Sequence, residues 1–169
     1  SPSKQVKGAT VTVSGSGFAA GKTVTVAGTA VKDSPMTVSA ATDGTFAVNI
    51  TVSSAAATGA NTLTITDTPG NSATITLSVP SAAITLTPAS GGAGTAMKVS
   101  GTGFDSYKAV AIAVDDATVG SNLLTGPVIT DNMGNFTASF TFPGHDTGFA
   151  TVFVKAGPTS SATFARQLL

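Results

Sequence analysis

Val13-Ser14-Gly15-Ser16-Gly17-Phe18 in the first half of the chain returns as Val99-Ser100-Gly101-Thr102-Gly103-Phe104 in the second. The landmarks around this stretch return in the same order. Val24-Thr25-Val26 followed by Asp43-Gly44-Thr45-Phe46 is matched by Val110-Ala111-Ile112 followed by Met133-Gly134-Asn135-Phe136. Thr58-Gly59 ahead of Leu63-Thr64-Ile65 is matched by Thr147-Gly148 ahead of Val152-Phe153-Val154, and Ser72-Ala73-Thr74 by Ser161-Ala162-Thr163. The second copy carries a small insertion near Ser121-Asn122-Leu123-Leu124. Self-similarity of this kind means one supersecondary plan used twice. Proline interrupts the strand pattern at Val79-Pro80-Ser81, which predicts domains over 1–79 and 80–169.

Each copy reads as a series of short strands. Phe46, Val48, Ile50 and Val52 alternate with Thr45, Ala47, Asn49 and Thr51, and Phe136, Ala138, Phe140 and Phe142 alternate in the same way. Such a period of two buries one face of a strand and wets the other. Turn residues separate the runs at Ala20-Gly21, Asp43-Gly44, Pro69-Gly70-Asn71, Pro143-Gly144 and Gly157-Pro158. No window carries a convincing amphipathic helix. The expectation is an all-β protein of two tandem immunoglobulin-like β-sandwich domains.

Composition narrows the function. Of 169 residues, 41 % are hydrophobic and only 9 % charged, against about 25 % charged in an ordinary soluble protein. Every acid is Asp, and the formal net charge is zero. Nucleic acid asks for a Lys/Arg-rich face, which is missing, and no apolar run is long enough to span a bilayer as a helix. With no cysteine, disulfides, thiolate metal sites and a cysteine nucleophile are excluded. A weakly charged surface suits a protein that associates with others or carries glycan.

Chemistry-bearing residues are sparse. His145 is the sole histidine, in Pro143-Gly144-His145-Asp146, and reads as an exposed turn residue. No catalytic residues and no cofactor are expected. Hard oxygen ligands for calcium could come from Asp115, Asp116 and Asp131, although Asp and Asn also serve turns by local hydrogen bonding, the favoured reading. Gly15-x-Gly17 and Gly101-x-Gly103 precede strands, not helices, so a phosphate-binding loop is discounted, and a bulge or tight bend is expected. Two N-x-T sequons, Asn49-Ile50-Thr51 and Asn135-Phe136-Thr137, place Asn49 and Asn135 on outward registers as glycan candidates.

V-S-G-x-G-F, then V-x-V, then G-x-F with alternating apolar residues resembles the Ig-like repeats of bacterial and archaeal cell-surface proteins. Thr87-Pro88-Ala89-Ser90-Gly91-Gly92 is similar to the opening of IPT/TIG-type domains. The resemblance covers both halves and implies stalks, surface layers, adhesins or filament subunits. The repeats are unequal at their starts. Ala83-Ile84-Thr85-Leu86 is a plausible first strand for the second domain, whereas Pro2 aligns with Pro88, leaving the first domain without that strand. The chain could be a fragment, the fold could tolerate the loss, or a neighbouring subunit could fill the gap by β-augmentation. The last is the sharpest expectation, with Ile84, Leu86, Phe164 and Leu168 as assembly candidates. The closing strand Phe164-Ala165-Arg166-Gln167-Leu168-Leu169 departs from its partner, placing Arg166 where Leu77 sits. The leading expectation is a non-enzymatic extracellular subunit of a filament or surface layer, polymerised head to tail with copies of itself. The alternative is an adhesive or ligand-binding module of a larger surface or secreted protein, which an exposed aromatic loop cluster would favour and for which the sequence offers only Phe149 and Tyr107. An accessory domain of a secreted hydrolase is a third class.

Overall fold

The period of two turns into burial strand by strand. In the computed structural model, which describes residues 4–116, 119–143 and 148–167, the first unit, Ser1–Pro80, holds six strands. They are β1 (Thr10–Gly15), β2 (Thr23–Ala27), β3 (Met36–Ser39), β4 (Phe46–Thr51), β5 (Gly59–Asp67) and β6 (Ser72–Val79). β1 pairs with β4, and the other sheet runs β3-β2-β5-β6. Val11 and Val13 of β1, Phe46 and Ile50 of β4, Val24 and Val26 of β2, and Leu63 and Ile65 of β5 turn inward into one core. Their Thr, Ser and Ala neighbours face out. Each such side chain, fully buried, contributes about 1.5–3 kcal/mol.

The second unit, Ser81–Leu169, repeats the plan with seven strands among its described residues. These are β7 (Ala83–Thr87), β8 (Ser90–Gly91), β9 (Ala96–Thr102), β10 (Val110–Val114), β11 (Phe136–Thr141), β12 (Phe149–Ala156) and β13 (Thr159–Gln167). One sheet is β11-β9-β7 and the other β10-β12-β13-β8. Met97 and Val99 meet Ile112, Phe140, Val152 and Val154 in its core. All named strand pairs are antiparallel except β13 with β8. Consecutive strands crossing between two sheets in this order make an immunoglobulin-like sandwich. The chain is all-β, two such sandwiches in tandem, and no helix occurs among the described residues.

The two sandwiches match by register and differ along three sheet edges. Gly15 opposes Phe46 as Gly101 opposes Phe136, which equates β1 with β9 and β4 with β11. β9 carries β7 on its outer side, while β1 pairs with β4 alone among the described strands. β8 lies parallel to β13 through Ser90 and Arg166, and its counterpart is the single parallel bridge from Lys4 to Ser78. The third difference lies beside β10, where the position of β3 is taken by an irregular segment from the sequence insertion. There Asn122 Oδ1 accepts the Ile112 N–H at 3.0 Å, the Leu123 N–H donates to the Ile112 carbonyl at 2.8 Å, and Leu123, Leu124 and Val128 pack on the core.

The same register corrects the alignment of the closing strands. Ala60 faces Ser78 and Phe149 faces Arg166, so Arg166 stands at the position of Ser78 and not at that of Leu77. The cause is the preceding turn, which is longer in the first sandwich (Thr66↔Ser72) than in the second (Ala156↔Thr159).

Candidate functional site

The glycines of the founding motif serve the sandwich. Gly15 and Gly101 lie under the rings of Phe46 and Phe136, and a Cβ on either would collide with that ring. Those rings meet Phe18 and Phe104 edge-on, with centroids 5.2 and 5.4 Å apart. Gly44 and Gly134 approach the carbonyls of Phe18 and Phe104 so closely that a Cβ would overlap them, and both hold a left-handed φ (76° and 71°). Their own carbonyls accept the Phe18 and Phe104 N–H groups at 3.2 Å. This is a corner where aromatic rings cover strand glycines.

Carboxylates tie the neighbouring loops together, from opposite sides in the two sandwiches. In the first, Asp67 at the end of β5 is 4 % exposed. It accepts the Ala19 N–H (2.9 Å) across the loop after β1, plus Gly70 N–H, Asn71 N–H and Asn71 Nδ2 within its own turn. Burial pushes its carboxyl up, but the Asn71 side chain and the Ala19, Asn71 and Gly70 amides together outweigh that and hold it below its ordinary 3.8. In the second, Asp105 lies on the loop after β9 at the position of Ala19 and accepts from Thr159 Oγ1 on the β12–β13 turn. Thr130 Oγ1 donates to the Asp105 carbonyl at 2.6 Å.

The calcium candidates are engaged in similar work. Asp115 Oδ1 accepts the Thr151 N–H (2.7 Å), Asp116 Oδ2 the Gly120 N–H (2.8 Å), and Asp131 the N–H groups of Met133 and Asn135 and the Asn135 side chain. The Asn135 amide, ahead of burial in effect, holds the Asp131 carboxyl low. Among the described residues no three His, Cys, Asp or Glu side chains lie close enough to share a metal. The sequons differ. Asn49 is exposed on β4, its Oδ1 accepting from Thr12 Oγ1 at 2.6 Å, while Asn135 precedes β11, half-buried and tied to Asp131. Ile84 and Leu86 cover the second core from β7, Leu86 buried. Phe164 pairs through its backbone with Thr151 in β13. Leu168 and His145 lie outside the described residues.

Three exposed apolar side chains lie on two adjoining segments of the second sandwich. Tyr107 (69 % exposed), Ile129 (61 %) and Met133 (66 %) lie on residues 104–110 and 128–134. These run antiparallel, joined by Thr130 N–H to the Lys108 carbonyl (2.9 Å), Val110 N–H to the Val128 carbonyl (2.8 Å) and the Ala109–Ile129 bridge. Register puts Gly21, Ser39 and Asp43 at the same three positions of the first sandwich. Tyr107 holds φ 53° where Gly21 holds 68°. A side chain in that region costs about 1–2 kcal/mol, and a bulky residue there is an outlier. Sequence reading singled out Tyr107 but missed Ile129 and Met133. The usable signal was Met133 standing where the repeat has a turn Asp. Phe149, also exposed (65 %), opens β12 elsewhere.

No protein-family model matches the chain, and no curated protein matches it. Among solved structures it is similar to the Yersinia pseudotuberculosis adhesin InvE, at 16 % identity and TM-score 0.41, over 99 % of this chain and 57 % of that one. It is similar to the D0-D1 domain of intimin, at 11 % identity and TM-score 0.39, over 98 % and 94 %. It is similar also to domains 5-6 of the S-layer protein SbsC, at 15 % identity and TM-score 0.33, over 99 % and 94 %. The fold assignment rests on the strand pairing above and not on these likenesses.

Proposed function

We propose that the chain is a non-enzymatic, extracellular Ig-like module of a cell-surface or secreted protein, holding a protein partner on the loop segments 104–110 and 128–134. Tyr107 carries this reading. The repeat has a glycine for that backbone conformation, and the second sandwich instead spends stability to keep an aromatic side chain in solvent. Ile129 and Met133, on the same pair of segments, replace a serine and an aspartate. Exposed aromatic and apolar groups rimmed by polar turns suit protein contacts. The test is Tyr107→Gly, the first sandwich's own residue. Relief of the backbone, less the added chain entropy of glycine, makes the second sandwich more stable by about 1 kcal/mol in denaturant unfolding. Beads coated with the variant are retained on cells of the source organism at least fivefold less than beads with the parent chain. Equal retention defeats the reading.

A second reading, a structural subunit of a filament or surface layer built from copies of the chain through strand contacts, is favoured by the open side of β1. Both readings place the chain outside the cell, where Asn49, exposed on β4, is a better glycan acceptor than Asn135.

A further inference from the structure

The turn that carries Tyr107 is closed differently from its counterpart. In the first sandwich Ala19-Ala20-Gly21-Lys22 closes on itself. The Lys22 N–H donates to the Ala19 carbonyl at 3.1 Å, and the Gly21 N–H to the Ala40 carbonyl at 3.1 Å. In the second sandwich the same turn is Asp105-Ser106-Tyr107-Lys108, and a side chain stands between its ends. Thr130 Oγ1 accepts the Lys108 N–H at 2.9 Å and donates to the Asp105 carbonyl at 2.6 Å. The Lys108 carbonyl, 3.4 Å from the same hydroxyl, is the weaker of its two acceptors. Thr130 occupies the position of Ala40, since its N–H meets the Lys108 carbonyl as the Ala40 N–H meets that of Lys22.

Both positions are buried, Thr130 at 1 % exposed and Ala40 at 4 %. A hydroxyl set where the repeat has a methyl group costs stability unless its hydrogen bonds are made. Here they are made to the two ends of one turn. The Asp105 end is held a second time, its buried carboxylate accepting from Thr159 Oγ1 on the β12–β13 turn. Exposed Tyr107, at φ 53°, thus lies between two backbone groups that a buried hydroxyl clamps.

We propose that Thr130 is a positioning residue for Tyr107. Its hydroxyl, set between Asp105 and Lys108, holds the turn in one geometry and presents the ring already ordered to a partner. The proposal rests on the partner reading above and names what fixes its central side chain. Ordering a side chain before contact removes that cost from binding, and a contact group is held accurately only when the residues behind it are locked.

Tyr107 is the sole tyrosine, and the chain has no tryptophan, so tyrosine fluorescence of the whole chain reports this ring alone. Thr130→Ala, the first sandwich's own residue, raises the fast part of the anisotropy decay about twofold, the motion of an exposed side chain on a loosened turn. Thr130→Val, which keeps the volume and removes the hydroxyl, does the same. Thr130→Ser, which keeps the hydroxyl, retains the parent decay. Each variant is measured where denaturant unfolding shows it fully folded, so that lost stability does not enter. A parent-like decay in Thr130→Ala or Thr130→Val, or a loosened ring in Thr130→Ser, overturns the proposal. In the cell-retention assay Thr130→Ala lowers retention about three- to tenfold, the range set by immobilising one side chain, and has no further effect alongside Tyr107→Gly. Retention that Tyr107→Gly lowers and Thr130→Ala does not, or a further loss in the double variant, also overturns it. The two readings fail separately. Retention unchanged by Tyr107→Gly removes the partner, whereas the fluorescence result depends on none.

Discussion

Gly134 and Asp67 are single residues on which whole corners turn. Gly134 combines a left-handed φ of 71° with contact on the Phe104 carbonyl, so a methyl group there meets both backbone strain and a steric block. Gly134→Ala is expected to cost about 2–4 kcal/mol, read as a lower denaturant midpoint for the second sandwich. Asp67 is legible in acid. Its carboxyl sits below the ordinary 3.8 when folded, so folding favours the ionised form. The stabilisation is complete above the unfolded value and is lost as pH falls through the folded one, that is, below about pH 4. Asp67→Asn is expected to weaken the first sandwich at neutral pH and to flatten its acid limb. Unfolding midpoints measured from pH 6 down to pH 2 check both, and an acid limb as steep as the parent's contradicts the assignment.

At the scale of the element, alternation and turn chemistry made most strands readable. Phe46 and Ile50 of β4, and Phe136, Ala138 and Phe140 of β11, are inward as their spacing requires. Two things stayed out of reach. Period two says which face is buried but not which strand lies alongside, so the segment beside β10 could not be foreseen. Its order depends on Asn122, a side chain closing a backbone ladder across the insertion. Nor does alignment by residue type see turn length, which is why Arg166 was paired with Leu77. Ile129 and Met133 escaped because an apolar residue in a turn looks like core until the turn is built. Asn122→Ala, leaving the Ile112 N–H without its acceptor, is expected to cost about 1–3 kcal/mol. Faster amide exchange at Ile112 relative to Val152 would show it, and equal protection would contradict it.

For the whole molecule, the repeat is a plan and not a copy. In the first sandwich β1 pairs with β4 alone among the described strands, whereas in the second the equivalent strand is covered by β7 and an exposed apolar set is added. The sequence discloses this division of labour only when the halves are laid over one another, because neither Gly21 nor Tyr107 means anything by itself. Taken together they separate two surfaces, one made of backbone and one of side chains, on two bodies of the same fold.

The opposed carboxylates constrain how such a protein can be rearranged by recombination. The hairpin β5–β6 brings its acid with it, whereas β12–β13 expects one from the loop opposite. Grafting the first hairpin into the second sandwich sets two carboxylates against each other, and the reverse graft leaves that junction with none. Both chimeras are expected to unfold at lower temperature than either parent, the first recovering as its acids protonate and the second not, a difference that thermal melts at pH 7 and pH 3 resolve. Crossovers between the repeats are therefore tolerated at the seam between sandwiches and penalised within them, so the heritable unit is the entire sandwich.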